Sequence, residues 1–205
     1  IAIKGRVVTG EPIEPVSKAI VSGVFRSVSK HDHQIWHMQT IPRPAAMLAN
    51  ADPRGRFSIE HELPRNLKNY SGRIILYAKK PDGSSTGMIE IEDSAKDVTI
   101  ALLPAGGVRG RVFFDQTAAP VPDRLVIIGF QLSDADGKVS AKYGGHFGEL
   151  ATTSKDGKFE CRGLVAGMRY FISVNTAPGE YWEAADSFVA RPGETIDFGE
   201  IRVKR

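Results

Sequence analysis

Gly110-Arg111-Val112-Phe113 repeats Gly5-Arg6-Val7-Val8 at an offset of 105 residues, and the reading of that pair decides the fold. The same offset, without a gap, carries Pro15-Val16 onto Pro120-Val121, Val21 onto Val126 and Phe25 onto Phe130. Further on, Gly55-Arg56-Phe57 returns as Gly157-Lys158-Phe159 at an offset of 102, so the first copy holds three more residues between the blocks. Periods of about 20–50 residues mean solenoids; a period near one hundred means tandem domains of ordinary size. The predicted domains are therefore 1–104 and 105–205. The joint is a closing strand at 98–103, the turn Pro104-Ala105-Gly106-Gly107, and an opening strand at 108–114. So short a joint predicts two domains held at a restricted angle.

Within each copy the hydrophobic period is two. Short β-rich runs fall at 6–8, 19–25, 56–59, 73–78, 88–91 and 98–102, then at 111–114, 125–131, 158–161, 170–174, 187–190 and 196–203. Turn signals separate them: Pro53-Arg54-Gly55, Pro81-Asp82-Gly83, Asp136-Gly137, Asp156-Gly157, Pro178-Gly179 and Pro192-Gly193. The 21 Gly and 12 Pro of this 205-residue chain exceed the ordinary share and favour strands and turns over helices. An all-β sandwich or barrel follows. Residues 44–50 are the one place for a helical turn, limited by Pro42 and Pro44.

Composition excludes several classes. A hydrophobic share of 41% with a net charge of +3 excludes wholesale disorder. A single Cys excludes a disulfide framework and a Cys-rich zinc module. Cys161 aligns with Ile59 on the inward parity shared by Phe57 and Phe159, so it reads as a small buried hydrophobe. The longest apolar run, 125–130, fits a buried strand and is far short of a membrane span. The first residues read as the start of a strand with no signal peptide, as expected of an excised piece of a longer protein. Charge is interspersed, with no basic stripe for nucleic acid. Residues 1–103 hold 14 basic and 11 acidic side chains and the remainder 13 of each, so the excess belongs to the first copy.

Gly-Arg-Val, Pro-Val, an apolar strand, then Asp156-Gly157-Lys158-Phe159, Leu164, Gly167 and Tyr170 resemble the carboxypeptidase regulatory-like domain. The first copy carries the looser version, Asp52-Pro53-Arg54-Gly55-Arg56-Phe57, with Leu63-Pro64-Arg65-Asn66 where a Gly-containing turn is usual. The resemblance implies two tandem transthyretin-like (prealbumin-type, Greek-key) β-sandwiches of about seven strands each. It implies a non-catalytic module, extracellular or periplasmic, that acts as spacer, stabiliser or binding surface among other domains of a bacterial parent protein. It implies no cofactor, and no peptidase activity, because the metallopeptidase domain is absent. Residues 170–181 also resemble the B-type repeat of collagen adhesins, whose domains often hold a Lys–Asn isopeptide bond. The motif position of the promoting acid is Asn175, and the opening strand 108–114 contains no Lys, so no such bond is expected in copy two.

Motifs with chemical meaning are few. Gly83-Ser84-Ser85-Thr86-Gly87 spells a nucleophile elbow, but a turn precedes it and an alternating strand follows, so it reads as a hairpin loop. His61-Glu62 begins a zincin motif that Pro64 and Arg65 break. Asp134-Ala135-Asp136-Gly137 begins a calcium loop, but Gly145 stands where the bidentate Glu is needed. Asn69-Tyr70-Ser71 is a glycosylation sequon that has meaning only in a secreted eukaryotic protein. His31, His33 and His37 share one face if their stretch is extended, and three imidazoles there could bind a late first-row metal; a polar hairpin is the competing reading. Trp36, Tyr143, Tyr181 and Trp182 fall in predicted loops or edges. Exposed aromatics there would stack on a carbohydrate or protein ligand, with Trp36, Tyr181 and Trp182 the candidates; buried, they would plug the ends of a sandwich. No nucleophile–base–orienter set emerges, so an enzyme is not expected.

Overall fold

A computed structural model describes residues 2–10, 13–29, 35–39, 47–60, 70–92, 97–133, 139–143, 149–177 and 180–204. At 24–29, 35–39, 47–48, 70–73, 132–133, 139–143 and 183–186 it describes the backbone alone. The chain divides into two compact units, Ile1–Pro104 and Ala105–Arg205. Among the described residues every regular element is a β-strand.

The first unit contains β1 (Ala2–Thr9), β2 (Ile20–Ser29), β3 (Ile35–Gln39), β4 (Met47–Asn50), β5 (Arg56–Glu60), β6 (Tyr70–Lys79), β7 (Ser85–Glu92) and β8 (Asp97–Pro104). They run in the order β3-β2-β6-β7-β8-β1-β5, with β4 also paired to β2. The β7–β8 seam is short, Ser85 opposite Pro104 and Thr86 opposite Leu103. Ile3, Val7, Phe57, Ile59, Val98 and Ile100 from one side of that seam share a buried core with Val21, Ile74, Leu76 and Ile91 from the other. The exposed–buried alternation along β5 and β8 is the half-buried pleat expected from a period of two.

The second unit contains β9 (Gly106–Phe114), β10 (Leu125–Ser133), β11 (Val139–Tyr143), β12 (Glu149–Thr152), β13 (Lys158–Leu164), β14 (Arg169–Ala177), β15 (Glu180–Val189) and β16 (Thr195–Val203). One sheet runs β11-β10-β14-β15 with β12 also on β10; the other runs β13-β9-β16. Val108, Val112, Phe159, Cys161, Ile201 and Val203 of the smaller sheet are buried, as are Val126, Ile128, Tyr170, Ile172 and Val174 of the larger.

The sequence repeat has a direct counterpart in the pairing. Gly5 stands opposite Phe57 in the β1–β5 ladder, and Gly110 opposite Phe159 in the β9–β13 ladder. Val8 bridges Pro15, and Phe113 bridges Pro120. Val7 N–H donates to the carbonyl of Gly55 at 2.8 Å, and Val112 N–H to that of Gly157 at 2.9 Å. Both turn glycines have positive φ, 72° and 79°. A side chain at either would run into the carbonyl of the opposing strand, Val7 or Val112. Lys18 and Asp123, 105 residues apart, both adopt the left-handed conformation with φ of 58° and 53°.

Two expectations need amendment. Met47–Asn50, placed in a possible helical turn, is strand β4, with Ile20 opposite Asn50 and Gly23 opposite Met47. The ten-residue β2 offers more edge than β3 covers, and ladder bonds to it outweigh a local turn that prolines already disfavour. With β3, β4, β11 and β12, each unit has eight strands among the described residues, against the about seven expected.

Candidate functional site

The predicted metal cluster falls mostly outside the described residues. His31 and His33 are not described, and His37 lies on β3, opposite Ser27, with Trp36 beside it on the same strand. The side chains of Trp36, His37 and Tyr143 lie outside the description, as do the Asp134–Gly137 and His61–Glu62 motifs. Among the described residues no group of three or more His, Cys, Asp or Glu side chains could hold a metal ion.

The described aromatic pair does not form one platform. Tyr181 stands opposite Asn175 and Trp182 opposite Val174 in the β14–β15 ladder. Adjacent strand residues point to opposite faces, so the two rings part company. Val174 is fully buried, so Trp182 shares the core-facing side, 37% exposed, while Tyr181 is 53% exposed on the other. Lys204 Nζ sits 5.2 Å from the centroid of Trp182, a cation over one ring face. Trp182 therefore plugs the margin of the sandwich with one face already covered. Asn175 holds the β14–β15 turn instead: its Nδ2 donates to the carbonyls of Ala177 at 2.8 Å and Glu180 at 3.1 Å.

Cys161 is 5% exposed in β13. Burial, with the carboxylate of Glu149 adding to it, pushes its thiol up to about 12. That leaves almost no thiolate at neutral pH, so the residue is inert. Nearby, the Tyr170 hydroxyl accepts the buried N–H of Val165 at 2.8 Å. Burial drives its phenol well above the usual tyrosine range. The Gly167-x-x-Tyr170 spacing thus places a phenol under a loop to satisfy an amide that the sheet leaves over. Gly83–Gly87 is a hairpin: Gly83 N–H donates to the carbonyl of Lys80, and Asp82 Oδ1 accepts from the backbone N–H and hydroxyl of Ser84 at 2.9 and 2.7 Å. No imidazole or other base is bonded to Ser85 among the described residues.

The two units share one topological relation. In each, the first and last strands are neighbours and run parallel. β1 pairs with β8 from Lys4 opposite Asp97 to Thr9 opposite Leu102. β9 pairs with β16 from Gly107 opposite Thr195 to Phe114 opposite Val203, interrupted between Asp197 and Glu200. At that interruption Gly199 takes φ 61° and its N–H donates to Asp197 Oδ1 at 2.9 Å, the geometry of a bulge. Both members of each pair are legible in the sequence as strands, but nothing in it marks them as neighbours.

Neither a family model nor a curated protein matches the chain. Similar solved structures include shaft pilin spaA from Lactobacillus rhamnosus GG, at 12% identity over 98% of this chain and 96% of that one, TM-score 0.33. GBS52, the minor pilin of Streptococcus agalactiae, is similar at 12% identity over 99% and 97%, TM-score 0.35. The Bacillus anthracis TIE protein is similar at 14% identity over 98% and 33%, TM-score 0.31. At these scores the likenesses do not establish a shared fold.

Proposed function

We propose that residues 1–104 and 105–205 are tandem transthyretin-like Greek-key sandwiches of the carboxypeptidase regulatory-like type, forming a non-catalytic, tension-resisting spacer in a larger extracytoplasmic bacterial protein. The observation that carries this reading is the parallel pairing of terminal strands in both units. A pull on the ends of a unit draws its first strand one way and its last strand the opposite way along a shared ladder. The hydrogen bonds between them are then loaded together rather than one after another. The chain between the two units is short: β8 ends at Pro104 and β9 begins at Gly106. The inert Cys161 and the hairpin at Gly83–Gly87 accord with a role without chemistry. Single-molecule extension of the 205-residue chain from its two ends tests the proposal.

A second reading, a surface for a protein or carbohydrate ligand, draws on the exposure of Tyr181 at β15, the edge of its sheet. Under that reading, Tyr181→Ala abolishes binding in a glycan or ligand screen and leaves the extension behaviour unchanged.

A further inference from the structure

One corresponding position at which the two units differ in charge lies just before the repeated Gly-x-Phe. In the β9–β13 ladder Arg111 stands opposite Lys158, two cations directly across from each other. Like charges so placed repel. The second unit resolves this with Asp156: its Oδ2 lies 2.8 Å from Lys158 Nζ, and its backbone carbonyl accepts from Arg111 Nε at 2.6 Å. The first unit repeats the pair as Arg6 opposite Arg56. The residue one before the turn glycine, Asp156 there, is Arg54 here. The neutralising carboxylate has become a third guanidinium.

Among the described residues no carboxylate pairs with Arg6, Arg54 or Arg56. All three are exposed, as is Lys4, two residues before Arg6 on the same face of β1. Two nearby acids, Asp52 and Asp97, offset part of this charge without an ion pair to any of the three arginines. Asp52 Oδ1 is taken by the backbone N–H groups of Arg54 and Arg56, each at 2.8 Å. Asp97 stands opposite Lys4 in β8 without an ion pair. Lys4, Arg6 and Arg56 line an open depression of about 770 Å³ together with Asp52 and Asp97, with Asn50, Ser58 and Thr99 as its neutral polar members, so cations outnumber acids there by three to two. The corresponding face of the second unit is instead laced by ion pairs, Arg109 to Asp197 at 2.9 Å and Arg162 to Glu160 at 2.7 Å.

We propose that Arg6, Arg54 and Arg56 of the first unit form a binding site for a phosphate-class oxyanion carried by a larger ligand. Arginine forks match such oxygens in bidentate fashion. A tetrahedral anion can accept from guanidiniums on two strands and from a turn at once, whereas a planar carboxylate is satisfied by one fork. The bound anion occupies the place that Asp156 fills in the second unit and relieves the Arg6–Arg56 repulsion, so binding stabilises the folded unit.

The test is titration of the 205-residue protein with pyrophosphate at constant ionic strength, read by amide chemical shifts. The expected result is saturable shifts confined to residues around 4–7 and 54–58, lost in Arg6→Gln and in Arg54→Asp. Arg54→Asp restores the arrangement of the second unit and should also raise the midpoint of thermal unfolding, which separates loss of the site from loss of the fold. The reciprocal Asp156→Arg should create a second saturable site at 109–112 and 156–160. Non-saturating shifts, equal shifts in both units, or tighter binding of malonate than of pyrophosphate would overturn the proposal.

Discussion

Phe57 lies directly opposite Gly5 across the β1–β5 ladder, its Cζ 2.7 Å from the point a Cβ on residue 5 would occupy. The ring fills the space that the missing side chain leaves, and the second unit repeats the arrangement with Phe159 and Gly110 at 3.0 Å. The glycine of Gly-Arg-Val and the phenylalanine of Gly-x-Phe, about fifty residues apart in each copy, are thus two halves of one packing contact.

That contact is tighter in the first unit. A Cβ at Gly5 would also strike the carbonyl oxygen and Cγ2 of Val98, which belong to the neighbouring strand, whereas Gly110 meets mainly the movable ring edge of Phe159. Gly5→Ala should therefore cost about 2 kcal/mol by overpacking, and Gly110→Ala clearly less. Urea unfolding of the two variants, each compared with the parent, measures the difference.

Tyr170→Phe removes the acceptor of the Val165 amide and leaves a buried N–H unsatisfied. The expected loss is about 1–3 kcal/mol in the second unit. Unfolding followed by tyrosine-independent circular dichroism checks it, and an unchanged midpoint would show that water or relaxation satisfies Val165.

The carboxyl of Asp156 is held down to about 2 by the side chains of Lys158 first and Ser154 second. Its value in the fold is below its value in the unfolded chain, so its contribution is complete above about pH 4 and is lost as pH falls from about 4 to 2. Asp156→Asn should be less stable than the parent at neutral pH and converge with it near pH 2. Unfolding midpoints across that range test the sign.

Cys161 should react with a thiol-specific disulfide reagent at pH 8 only as fast as the second unit opens, and at once after denaturation. Rapid labelling of the native protein would place the thiol at the surface.

Twelve of the strands are legible because they rest on alternation, which the pleat imposes directly. β4 was not, because four residues, Met47–Asn50, form a strand only by virtue of the free edge of β2, which no local pattern reveals. The sequence pattern marks β15 only from 187, whereas the strand begins at Glu180, because register shifts against β14 break its period. Tyr181 and Trp182 are neighbours in sequence, but the strand sends them to opposite faces. The Arg6–Arg54–Arg56 group has no sequence signature, because its meaning lies in cross-strand register and in the contrast with Asp156. The parallel neighbours β1 and β8 lie nearly a hundred residues apart, a relation that belongs to topology alone.

The account is tested most directly by stretching the single chain from residues 1 and 205. It predicts two discrete unfolding steps, one per unit, each releasing roughly 350 Å of chain and each requiring far more force than peeling a hairpin. Gradual extension without resistant steps, or a single step releasing the whole chain, would contradict it.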